Sequence, residues 1–275
     1  MNTTFVGGGN MAAALLGGLL ARGGDAAALD AIEPDQARRE ALAARLGMRV
    51  HASIEAAGAA GALAAPVIVL AVKPQQARAA AEALAPHLSH APLVVSIAAG
   101  VRAADLSGWL DGRARVLRTM PNTPALVGAG ITALADSDAL TAADRMAAEA
   151  VLSACGQVLW VDREPLLDAV TAVSGSGPAY VFYFMEAMQA AARSLGLDDE
   201  QARRLTLATF AGAAQLAGQS DEPVSLLRER VTSPGGTTAA ALAHLQAHAV
   251  GARLQEAIAA AQRRSVELGD AMRDR

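Results

Sequence analysis

The chain has 275 residues and a formal net charge of −4, a length that suits two domains of roughly 100–200 residues each. Its 53% hydrophobic share rests on 69 alanines, with aromatic residues at only 3%, so apolar area is buried in small pieces, at roughly 25 cal/mol per Å², and many close helix contacts are needed. Mild acidity with one lysine against 22 arginines excludes an evident nucleic-acid footprint, and the single cysteine, Cys155, excludes an intrachain disulfide.

The apolar stretch 11–21 has neither a basic residue before it nor a cleavage-like region after it. No apolar run reaches the ~18 residues of a membrane span. A soluble, cytoplasmic protein without membrane or nucleic-acid partners is expected. In chain order, residues 3–7 read as a strand and 10–22 as a helix. Strand 28–33, helix 35–46 and a short strand 48–51 follow. Residues 66–72 (PVIVLAV) form the strongest strand signal, β-branched and apolar throughout, as in a parallel strand buried on both faces. Helix 75–84, strand 93–97, helix 103–110 and strand 114–120 continue the alternation, and strands 131–135 and 158–161 complete it around helix 142–154. Repeated strand–helix–strand units predict a doubly wound parallel sheet.

Beyond about residue 163 the strand pattern stops. Residues 166–192 are helix-like, though interrupted by Gly175, Gly177 and Pro178. Residues 199–218, 224–230 and one long stretch, 237–268, read as helices. The expected division is a dinucleotide-binding domain over residues 1–162 and an all-α domain over 163–275.

Six motifs carry the chemistry. Gly7-Gly8-Gly9-Asn10-Met11-Ala12 closes the first strand and opens the first helix, where glycines let the backbone approach a pyrophosphate. Ala71-Val72-Lys73-Pro74 ends the strongest strand and holds the only lysine. Ile97-Ala98-Ala99-Gly100 ends the next with small side chains, and Met120-Pro121-Asn122-Thr123-Pro124 makes a rigid turn at the same edge. Ser174-Gly175-Ser176-Gly177-Pro178-Ala179-Tyr180 places helix breakers inside an apolar stretch, which calls for close packing or a ligand in compensation. Val231-Thr232-Ser233-Pro234-Gly235-Gly236-Thr237-Thr238 feeds a glycine turn into a helix N-terminus, a seat for a carboxylate. Asp30 and Glu33 lie where an acidic residue would bind a ribose hydroxyl, and Arg38 and Arg39 where a 2′-phosphate would be neutralised, so NAD and NADP both stay open. No metal site is expected: His244 and His248 lack a third ligand.

Together these motifs resemble the pyrroline-5-carboxylate reductase family, and they do so in order from residue 7 to residue 238. The resemblance implies a Rossmann-type domain and a helical dimerisation domain, NADPH (or NADH) as hydride donor, and reduction of a cyclic imine to L-proline. It implies a homodimer through the helices, joined into a larger homo-oligomer such as a decamer. It places cofactor contacts at Gly7, Gly9, Asn10, Met11, Ala71, Val72, Lys73, Pro74, Ile97, Ala98 and Ala99. It places the substrate at Ser233, Gly236, Thr237 and Thr238, with the Thr238 hydroxyl on the imine nitrogen as the catalytic contact. Two departures stand out. Arg230 occupies a position where members often have Asn, and the family Glu upstream of the turn has no clear counterpart, since Gly218, Asp221 and Glu222 all fall nearby. A hydroxyacid dehydrogenase would want a lysine in the helical domain, which is absent, and a silent nucleotide-sensing module would not need the hydroxyl-rich turn.

Overall fold

Every predicted strand is present in the computed structural model, which describes residues 1–273. The strands are β1 (Thr3–Val6), β2 (Leu29–Ile32), β3 (Arg49–His51), β4 (Val67–Leu70), β5 (Leu93–Ser96), β6 (Arg115–Met120), β7 (Gly130–Ala135) and β8 (Gly156–Val161). They form one sheet in the order β3-β2-β1-β4-β5-β6-β7-β8. The helices between them are α1 (Asn10–Ala21), α2 (Gln36–Leu46), α3 (Ile54–Ala59), α4 (Pro74–Leu84), α5 (Ala103–Trp109) and α6 (Ala142–Leu152).

Alternation along the strands builds the core on both faces of the sheet. In β4, Val67 and Val69 join Phe5, Leu15, Leu16 and Leu117 on one face. Ile68 and Leu70 join Val6, Ala77, Ala81 and Leu84 on the other. A strand covered on both sides must be apolar at every position, which is why β4 reads so plainly. The sheet departs from the all-parallel expectation at one place: β6 and β7 pair antiparallel, Thr119 opposite Leu134. The connection over 121–129 is a tight 3-10 turn, too short for the crossover that a parallel neighbour requires. β7 and β8 are parallel again, with α6 between them in sequence.

The chain divides into two compact units. The first is Met1–Ser176 together with the chain from Ala261 onward. Besides the sheet it holds α7 (Leu166–Val170), a π-helical turn over Thr171–Gly175, and the last turns of α12 (Val250–Arg273). The second, Gly177–Ala260, is all-helical: α8 (Gly177–Ser194), α9 (Asp199–Gly218), α10 (Val224–Arg230), α11 (Thr237–Ala247) and the start of α12. The single helix expected over 237–268 is two helices. Ala249 takes a left-handed φ of 52° between them, a conformation costing an L-residue roughly 1–2 kcal/mol. Alanine otherwise favours helix, so nothing in the local composition signals the break.

Candidate functional site

The strand order reverses beside β1. β2 lies on one side of it and β4, reached by a crossover, on the other. Such a switch point opens a crevice at the carboxyl ends of the strands, and ligands bind there. The glycine turn after β1 and the Ala71-Val72-Lys73-Pro74 segment after β4 meet at this crevice. The Gly7 amide donates to the Ile32 carbonyl at 2.9 Å, and the Ala71 amide donates to the Val6 carbonyl at 2.8 Å. Gly7 has a φ of +109°, and a Cβ there would lie 2.5 Å from the Ala71 carbonyl oxygen. Only glycine fits at that position.

A cavity of about 650 Å³ opens above the turn. Seven of the expected cofactor residues line it: Gly9, Asn10, Met11, Ala71, Val72, Lys73 and Ile97. Gly7 and Pro74 are not part of the lining; Pro74 is the first residue of α4 and lines a separate, smaller cavity. Ala98 is buried in the core beneath α4 and Ala99 is exposed, so neither forms part of the lining. The cavity also brings in residues outside the expected cofactor contacts, of which Ala41, Leu42 and Arg45 belong to no motif. Arg38, Ala41, Leu42 and Arg45 come from one face of α2, and Met120 and Pro121 from the end of β6. The i, i+3, i+4, i+7 spacing on α2 is the signal that could have found them.

The cavity suits a dinucleotide. Gly9 caps α1 without a side chain accepting from the first amides, and the first turn carries no acid. Those amides therefore face the crevice as donors for an anion. The lining holds three cations, Arg38, Arg45 and Lys73, and no carboxylate.

Below this edge, β6 carries a buried cation, Arg118, only 3% exposed. Its Nη1 donates to Glu164 Oε1 at 3.0 Å, and its Nη2 lies 3.8 Å from Asp168 Oδ1. Arg102 Nη1 donates to Asp168 Oδ2 and Ser265 Oγ donates to Asp168 Oδ1, both at 2.8 Å. Burial pulls the Arg118 guanidinium below its ordinary pKa, against the raising effect of Glu164. This network fixes α7 and the last turns of α12 against the sheet.

In the second unit, the Ser233–Thr238 turn is tight. The Gly236 amide donates to the Ser233 carbonyl at 3.0 Å, and Gly235 has a φ of +72°. Gly236 caps α11 with no side chain on its first amides. Ser233 and Thr237 are exposed and Thr238 is half-buried. Free amides and three hydroxyls thus gather at one helix N-terminus, as a carboxylate requires. Arg230, at the end of α10, pairs with Glu222 at 2.5 Å.

Among the described residues no group of three side chains could hold a metal ion, and no helix is long and apolar enough to cross a membrane. Cys155 is buried and its thiol is pushed up by that burial, the reverse of an activated nucleophile.

The comparisons with known proteins point to one family. Residues 164–268 match the family model described as pyrroline-5-carboxylate reductase dimerisation, and residues 2–100 match one described as NADP oxidoreductase coenzyme F420-dependent. The chain is similar to a pyrroline-5-carboxylate reductase of Pseudomonas aeruginosa, 47% identical over 97% of this chain and 96% of the relative. It is 39% identical to one from Pasteurella multocida over 96% of each. Among solved structures it resembles a pyrroline-5-carboxylate reductase from Coxiella burnetii (TM-score 0.90, 39% identity, covering 97% of this chain and 98% of that one). It also resembles a Plasmodium falciparum pyrroline carboxylate reductase with NADP bound (TM-score 0.85, 28% identity, 98% of each).

Proposed function

The chain belongs to the pyrroline-5-carboxylate reductase family, and from that premise we propose that the cavity beside β1 and β4 receives NADPH while Ser233, Gly236, Thr237 and Thr238 receive the substrate. The protein is an NAD(P)H-dependent oxidoreductase that reduces the cyclic imine 1-pyrroline-5-carboxylate to L-proline in proline biosynthesis. The division of labour that we propose gives nucleotide binding to residues 1–162 and dimerisation and substrate binding to residues 163–275. The observation that carries the cofactor reading is the cavity at the uncapped N-terminus of α1, lined by Gly9, Asn10, Met11 and Lys73.

Bound NADPH supplies the hydride. The α1 amides and Gly9 hold the pyrophosphate, and the Lys73 ammonium adds positive charge at the crevice. The amides and hydroxyls of the α11 turn hold the substrate carboxylate. Protonated at nitrogen, the imine is already a good electrophile, so no strong general acid is needed. Thr238 hydrogen-bonds the nitrogen and orients it as it becomes a secondary amine. Placement of this kind lowers a barrier by several kcal/mol.

We further propose a cytoplasmic homodimer formed through the helical unit, with dimers assembling to a larger ring such as a decamer. Phe182, Tyr183, Leu205 and Leu216 are more than half exposed on α8 and α9, an apolar surface that a second copy would cover. The function is tested by following NADPH absorbance on addition of pyrroline-5-carboxylate. A substrate-dependent loss is expected, and none at high enzyme concentration would overturn the reading.

A further inference from the structure

Four side chains near the end of β2 were open for the adenosine ribose: Asp30, Glu33, Arg38 and Arg39. Three are engaged elsewhere. Asp30 is 5% exposed and accepts from Arg49 and His51, each at 2.7 Å. Arg39 donates to the Glu33 and Pro34 carbonyls at 2.9 and 3.0 Å.

Glu33 is the instructive case, because a carboxylate at this point of such a sheet ordinarily binds the ribose hydroxyls of NADH. Here it is 7% exposed and turned beneath the glycine turn. Oε2 accepts the Gly8 amide at 3.1 Å and Oε1 accepts the Asp35 amide at 3.0 Å. A Cβ on Gly8 would lie 3.0 Å from the Glu33 Cβ, so the two are in close contact. Both carboxylate oxygens are committed to backbone, one to the phosphate-binding turn and one to the start of α2.

Arg38 is left. It lines the cavity, is exposed, and has no side-chain partner among the described residues. Arg45, two turns further along the same face of α2, lines it too and reaches the Ala13 carbonyl at 3.3 Å.

We infer that Glu33 is a positioning residue for the glycine turn, and that the Arg38 face of α2 forms the site for the 2′-phosphate and selects NADPH over NADH. This rests on the cavity's reading as the dinucleotide site. A guanidinium recognises a phosphate through charge-assisted hydrogen bonds that NADH cannot offer. The Asp35 cap on the Arg38 amide fixes where that side chain leaves the helix.

The experiment titrates NADPH and NADH by cofactor fluorescence, without substrate, and then measures KM and kcat for each. Arg38→Ala is expected to lower the NADPH:NADH affinity ratio by at least about tenfold, the loss of one charged hydrogen bond, with Arg38→Lys intermediate. Glu33→Gln keeps the side chain's shape but cannot accept both amides. It is expected to raise KM for both cofactors by a common factor, more than it lowers kcat, and to hold their ratio within about twofold. That common factor is set by the turn's lost hydrogen bond. A ratio unchanged in Arg38→Ala overturns the inference, as does a Glu33→Gln variant that weakens NADH alone. Because binding is read without substrate, failure here is distinct from failure to reduce pyrroline-5-carboxylate.

Discussion

The side-chain amide of Asn122 donates to the Ser174 carbonyl at 3.2 Å, while its oxygen accepts the Ile131 amide at 2.9 Å. One residue therefore joins two of the sequence motifs and starts β7. Asn122 directly follows Met120 and Pro121, which line the cavity proposed for the cofactor. Asn122→Ala leaves the Ile131 amide and the Ser174 carbonyl without this partner. It is expected to cost about 1–3 kcal/mol in a denaturant melt and to raise KM for NADPH.

Gly175 lies against Met120: a Cβ there would meet the Met120 methyl carbon at 2.5 Å. Met120 is flexible and can move, but its free side is the cavity. Gly175→Ala is expected to keep the fold and weaken cofactor binding severalfold, read by fluorescence titration. Unaltered binding would show that Met120 relaxes away from the cavity.

Asp168 faces Arg102, Arg118 and Ser265 at once. Asp168→Asn leaves a buried guanidinium short of counter-charge, a defect of about 3 kcal/mol or more. Ser265→Ala removes one hydrogen bond to the carboxylate and is expected to cost about 1.5 kcal/mol. Urea midpoints at one protein concentration should rank the wild type above Ser265→Ala and Ser265→Ala above Asp168→Asn.

At the start of α6, the Arg115 guanidinium and the Thr141 hydroxyl hold the Asp144 carboxyl at about 2, below its ordinary 3.8. A carboxyl depressed in the folded state stabilises it above the unfolded pKa, and that stability drains away as pH falls toward the folded one. The window is therefore between about pH 4 and pH 2. With Arg115 partly exposed, the contribution is about 1–2 kcal/mol. Asp144→Asn should flatten that part of the acid limb in a stability profile, and an unchanged limb would assign acid sensitivity to other carboxyls.

The sheet and the glycine turn were legible because their causes are local. Runs such as 67–70 have to be apolar at every position, and Gly7 fills a place that only glycine can. The buried charges were not legible. Arg102, Arg118, Glu164 and Asp168 are single residues that become neighbours only when the start of α5, β6 and α7 fold together. Glu33 shows the same limit more sharply. Its position along the chain suits a ribose ligand, and only its side-chain direction shows it supporting Gly8. The break at Ala249 has no local cause in composition.

In the proposed mechanism, hydride delivery depends on placing the imine rather than on a strong acid, with Thr238 as the hydroxyl at its nitrogen. The most direct measurement is kcat/KM for pyrroline-5-carboxylate at saturating NADPH, in wild type and Thr238→Ala. Loss of one such hydrogen bond predicts a fall of about tenfold to a hundredfold, with NADPH affinity and thermal stability retained. An unchanged kcat/KM in the folded, cofactor-binding variant would contradict the account.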